Sequence, residues 1–261
     1  MLNLILSDFY KLFKRKSFYV CALIAMVMSC LGVVLLNSML SIGGIEVTAK
    51  EMGYNGIYAL TTGLGEATLL VTILVSMFVP SEFAFGTIKN IASKGISRVS
   101  IYLSKFIVCT FICFIYTLLC GITSFTLGSI MWETGDLSGQ NVILDILRMF
   151  GLFLLAQLAL ESIFIMVGFI IRQTGGTVAS NLAITIVVPG VIISFIDFAC
   201  SAWLKIENFS AAKYWISDYL NSFLSLSISQ EVINRGLIVC ICYIVASTAI
   251  GIYTFYKRDI K

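Results

Sequence analysis

Six long apolar stretches, each free or nearly free of charge, recur along the chain. A bilayer core about 30 Å thick is crossed by roughly 20 apolar residues rising about 1.5 Å each in a helix. On that measure spans fall at about residues 18–40, 57–80, 106–132, 149–171, 173–196 and 236–256. Glu66 lies inside the second span near one end, and Glu161 interrupts the fourth. Lipid offers no partner to a bare backbone group, so each run must be helical, and none shows the alternation of a barrel strand. The first run is far longer than the h-region of a cleaved signal and no small-x-small site follows it, so it is expected to remain as a span. The predicted fold is therefore all-α and integral to the membrane, one domain over residues 1–261.

Two shorter segments carry a different pattern. In residues 2–13, Leu2, Ile5, Leu6, Phe9, Leu12 and Phe13 share one helical face, while Asn3, Ser7, Asp8, Lys11, Lys14 and Arg15 take the other. Residues 1–16 are thus expected to form an amphipathic helix in the membrane interface, apolar side in lipid and lysines toward anionic headgroups. Residues 81–98 follow Pro80 and open with Ser81 and Glu82, which suit a helix start. Phe85, Ile88, Ala92 and Ile96 then recur at helical spacing, and Gly95 marks a stop. Periodicity alone leaves open whether this helix rests on the membrane or docks on a partner.

Charge sets the orientation. Lys and Arg number twelve on the side holding both termini and the 81–98 segment, against five on the other. The positive-inside rule then places both termini in the cytoplasm. Lys105 is counted among the inner cations, and Trp132, Trp203 and Trp215 fall on the outer side as interfacial anchors. Hydrophobic residues make up 59% and charged residues 12%, a balance that a globule facing water could not sustain. The net charge of +3, with no basic run among aromatics, gives no reason to expect nucleic acid.

The chemistry on offer is sparse. The chain has no histidine, which removes His-based acid–base catalysis and His metal sites. Its eight cysteines read as small apolar residues within spans, Cys200 alone lying near the outer surface. No metal site or catalytic residue is expected, since Cys109 and Cys113 have helical spacing without other ligands. Neither Gly86-Thr87 nor Gly175-Gly176-Thr177 meets the phosphate-binding pattern G-x-x-x-x-G-K-[ST]. The second pair is expected to make the tight inner turn between spans four and five.

Glu82-x-x-x-Gly86-Thr87-Ile88-Lys89-Asn90, then Gly95-Ile96-Ser97-Arg98 and Tyr102-Leu103-Ser104-Lys105, resembles the cytoplasmic loop of ABC-2 type permeases. The amphipathic N-terminus, the six-span plan and the closing Phe255-Tyr256-Lys257-Arg258-Asp259 extend the resemblance over essentially the whole chain. Within that superfamily, the size and small outer loops are similar to permeases of lantibiotic-immunity and peptide-export systems. The resemblance implies a bacterial inner-membrane permease working with a second permease, identical or paralogous, and a cytoplasmic ATPase dimer. It also implies that Glu82, Phe83, Phe85, Gly86, Thr87, Ile88, Lys89 and Asn90 form the coupling helix that docks on that ATPase. The two permeases would meet along helices one, two and five. ATP and Mg would belong to the partner, this chain holding no cofactor, and the cargo would be a peptide-like or antibiotic-like amphiphile.

Two acids remain as candidates for the translocation path. An intramembrane carboxylate is costly enough to need a partner or water. Glu161 either faces a cationic cargo or is protonated or bonded within the bundle, to Gln157 or Gln173 among others. Glu66 is the weaker candidate, placed near outer headgroup depth. Phe209, Trp215, Tyr219, Phe223 and Leu226 recur in the longest outer connection, 197–235, as either short surface helices or an aromatic belt. The competing reading is an ion-coupled secondary transporter, for which only Glu161 and Glu66 offer buried sites.

Overall fold

Five of the six apolar runs fold into a single helix that outlasts the run itself, because nothing in a helix obliges it to stop where the bilayer core ends. The computed structural model describes residues 1–42, 55–132, 142–202, 210–225 and 228–258. The spans are α2 (Lys16–Ile42), α3 (Gly56–Ala84), α5 (Arg98–Trp132), α6 (Val142–Ile171), α7 (Thr174–Val187) with α8 (Ser194–Ala202), and α10 (Gln230–Lys257). Ahead of them lies α1 (Leu2–Lys14), α4 (Thr87–Ser93) joins spans two and three, and α9 (Ile216–Ser222) precedes the last span. Among the described residues six stretches are long and apolar enough to cross a membrane, so the chain is a multi-pass membrane protein.

The bundle is organised on α3 and α5, which pack along their length, with α6 and α10 forming the second extensive contact. Small residues permit the close approach. A Cβ on Gly63 or Gly128 would run into Ser124 or Ala59 on the facing helix. Polar side chains pair across the helices: Thr68 Oγ1 donates to Gln157 Oε1 at 2.9 Å, Asn181 Nδ2 to Ser76 Oγ at 2.7 Å, and Ser247 Oγ to Ser162 Oγ at 2.7 Å. These bonds satisfy groups that lipid would leave bare.

Several local expectations are corrected. Ser81 does not start a helix, since α3 runs through Pro80 to Ala84. The chain turns instead at Gly86 (φ 67°), and α4 follows. The turn between spans four and five is made by Arg172 in the left-handed region (φ 60°), while Gly175 and Gly176 sit in the first turn of α7. Trp132 is buried rather than interfacial, its Nε1 donating to Asn37 Oδ1 at 2.8 Å. An indole beside an asparagine finds inside the bundle the acceptor it would otherwise seek at the interface. Trp203, Phe209 and Leu226 lie outside the described residues, whereas Tyr219 and Phe223 are buried beneath α10, against Gly236. The fifth span is not one regular helix either. A π-helical turn over Val188–Ile193, containing Pro189, separates α7 from α8. A proline cannot donate its share of the ladder, and the wider turn absorbs the loss.

Candidate functional site

The end of the bundle that carries both termini holds a compact group of charges. Lys105, two turns into α5, is fully buried, with its Nζ 2.7 Å from Asp8 Oδ1 of α1 and 2.5 Å from Glu82 Oε2 of α3. Lys11, partly exposed, lies 3.4 Å from Asp8 Oδ1 and 3.8 Å from Glu82 Oε1. Ser104 Oγ donates to Asp8 Oδ2 at 2.9 Å, and Thr87 Oγ1 to the Glu82 carbonyl at 2.9 Å. Two cations and two carboxylates therefore neutralise one another where α1, α3 and α5 converge. Replacing one member by an apolar residue would strand a buried opposite charge.

The arrangement explains two departures from the expected surface. Asp8 and Lys11 were expected on a solvent face, yet α1 turns Leu4, Asp8 and Leu12 inward and leaves Leu2, Leu6 and Phe13 exposed. The buried ammonium of Lys105 supplies the reason, since it needs a carboxylate and Asp8 is the only acid on α1. Lys105 in turn is not merely an orienting surface cation. Its place was legible in the pattern, because Ile101, Tyr102, Val108 and Cys109 share its helical face and all are buried.

An aromatic cluster backs the charges. Tyr102 of α5 and Phe169 of α6 have ring centres 4.7 Å apart, Phe169 and Phe255 of α10 4.9 Å, and Phe83 of α3 and Phe169 5.5 Å. Arg98 Nη1 accepts the role of cap for α10, donating to the carbonyls of Phe255, Tyr256 and Arg258 at 2.9, 2.8 and 2.7 Å. Arg258 Nη1 donates to Ile170 O at 2.6 Å. Guanidiniums on terminal carbonyls are favoured both as donors and by the helix dipole. Burial, then Arg258 and Arg98 nearby, push the Arg172 guanidinium below its ordinary range, where it stays cationic.

On this base sits the 82–90 segment, and the structure divides it. Glu82 and Ile88 are fully buried, and Phe83 packs into the aromatic cluster. Phe85 is 75% exposed, and Lys89 and Asn90 project with Ser93 and Lys94 from α4 and its end. The ridge Phe85, Ile88, Ala92, Ile96 is therefore not one docking surface. Ile88 with Ala92 and Ile96 faces the chain's own core, and only Phe85 turns from it, toward a groove that it lines with Arg15 and Phe78. Gly86, half-buried, makes the turn that separates the two sets, and Thr87, also half-buried, opens α4.

Glu161 and Glu66 lie apart from this cluster. Glu161 on α6 is 1% exposed and faces the Cys113 thiol of α5. Neither of its carboxylate oxygens finds a nitrogen or oxygen partner among the described residues. Gln157 is engaged by Thr68 instead. Glu66 is half-buried, pressed against Gly32 of α2 so closely that a Cβ there would collide with the carboxylate. Neither acid lines the cavity of about 230 Å³ bounded by α3, α6, α7 and α9 at the end away from the termini.

Residues 4–190 match the family model described as ABC-2 family transporter protein. No curated protein matches the chain.

Proposed function

The chain belongs to the ABC-2 transporter family, and from that premise we propose that it exports peptides or antibiotic-like amphiphiles, driven through its 82–90 segment. As a family member it is the membrane subunit of an ABC transporter, not catalytic itself, and associates with an ABC ATPase. The single observation carrying the coupling proposal is the buried pairing of Glu82 with Lys105. It fixes the end of α3 to α1 and α5 one turn before the exposed Phe85 and α4. A push on Phe85, Lys89 and Asn90 would pass into three helices at once instead of bending a loose connector.

In this reading the inner end carrying both termini and α4 faces the cytoplasm of a bacterial inner membrane, and ATP with Mg binds to the partner. A second permease, identical or paralogous, meets this one along helices one, two and five, here α2, α3 and α7–α8. The poor burial of α2 and α7–α8 supports the first and last of these. Only 17% and 6% of their apolar windows are covered within the chain, against 22% for α10, 44% for α5 and 61% for α3 and for α6. In this reading Glu161 and Glu66 belong to the path only once two permeases enclose it. Single-cysteine labelling at Lys89→Cys and Lys94→Cys tests the orientation. Modification from outside intact cells would overturn the coupling role, and modification only after permeabilisation is expected. Transport that survived ATP depletion but collapsed with the proton gradient would favour an ion-coupled carrier instead.

A further inference from the structure

The α1–α2 elbow and the inner end of α3 enclose a groove of about 420 Å³. Ligand sites commonly span about 300–1,000 Å³. Its walls are apolar, from Phe18, Leu74, Met77, Phe78 and Ile112, and its mouth carries Arg15, Lys16 and Ser17. Among the described residues no acidic one lines it. Arg15 is held rather than free to swing: Nη1 donates to Ser81 Oγ at 2.7 Å and the guanidinium stacks over the Phe78 ring, 5.0 Å from its centre. Lys16 and Ser17 are exposed beside it, at the first turn of the first span.

We propose that this groove binds one anionic phospholipid of the inner leaflet, its phosphate on Arg15, Lys16 and Ser17 and an acyl chain along Phe18, Leu74 and Met77. The charge pattern selects the occupant: two cations at the rim above an apolar wall complement an amphiphile with an anionic head. Depth agrees, because the rim lies where α1, with Leu2, Leu6 and Phe13 exposed, meets the start of a membrane span. The lipid would brace the elbow against α3 next to the Lys105 cluster, since Leu12 lines the groove and belongs to α1.

The test is native mass spectrometry of the purified full chain, delipidated and titrated with phosphatidylglycerol or phosphatidylcholine. One phosphatidylglycerol is expected to be retained in preference to phosphatidylcholine. Retention should fall about fivefold for each charge lost in Arg15→Gln and Lys16→Gln, the scale of one cation beside an anionic membrane. Lys257→Gln, which removes a cation elsewhere on the same end, should leave it unchanged. Met77→Trp, filling the groove from a partly exposed position, should abolish retention while the protein still runs as a single species by size exclusion. Equal retention of both lipids, or undiminished retention in Lys16→Gln and Met77→Trp, would overturn the site. So would a Met77→Trp variant that keeps its lipid but loses self-association, since a second copy would then be the occupant.

Discussion

The Lys105 ammonium of α5 and the Asp8 carboxylate of α1 meet at 2.7 Å with both side chains fully buried, although Asp8 and Ser104, the neighbour that shares it, stand 96 positions apart. Replacing Lys105 by Met would leave Asp8 and Glu82 facing each other without their central cation. Stranding one partner of a buried pair costs roughly 3–5 kcal/mol. Purified Lys105→Met should therefore melt well below the parent. Adding Glu82→Gln should recover part of the loss, which a double-mutant cycle in detergent would quantify. Independent, additive losses would mean that the two residues do not interact.

The division of the 82–90 segment predicts that two substitutions diverge. Phe85→Asp should keep the parent's melting temperature and lose the co-purifying ATPase, because Phe85 is 75% exposed. Ile88→Asp buries a charge in the core and should fail to accumulate as folded protein. Parallel measurement of ATPase capture and thermal stability separates them. Full capture by a well-folded Phe85→Asp would remove this residue from the docking surface.

Helix contacts through glycine make a third prediction. A Cβ on Gly236 would come 2.5 Å from Phe223 Cζ and 2.8 Å from Tyr219 Cδ1. Overpacking of this kind costs about 1–3 kcal/mol. Gly236→Ala should lower the melting temperature by that loosening of α9 from α10. Gly151→Ala, with nothing within 4 Å of the added carbon, should not lower it.

Stability around α9 should respond weakly to pH. Burial pushes the Asp218 carboxyl above its ordinary value, with Lys213 pulling partly back. The folded state then holds this proton more tightly than the unfolded chain does. The cost of ionising Asp218 is fully present above its folded value and disappears as pH falls below the ordinary carboxylate range. Asp218→Asn should raise the melting temperature slightly at neutral pH, and the difference should shrink on acidification. A difference that grew in acid would contradict the assignment.

How much of this was legible beforehand follows from the kind of force involved. Charge-free runs located all six spans, because transfer into lipid depends on residues nearby in sequence and not on their partners. The helix at the N-terminus and the break at Gly95 were likewise local, the latter confirmed by its positive φ of 78°. Periodicity failed where the face of a helix was chosen by a distant group. Amphipathic pattern assigned Asp8 to water and the family resemblance assigned Ile88 to a partner, yet Lys105 draws the one inward and the bundle core takes the other.

The Gly86 turn shows the same limit from the other side. Pro80 and the serine after it suggested a helix boundary, but the pull of Lys105 on Glu82 and of Phe169 on Phe83 carries α3 four residues further. Sequence by itself determined which stretches enter the membrane and, through the loop motif, the family. Only tertiary structure decided which polar side chains are buried together, because a charge in lipid is tolerated solely where the fold brings it an opposite charge, and chain order does not record that distance.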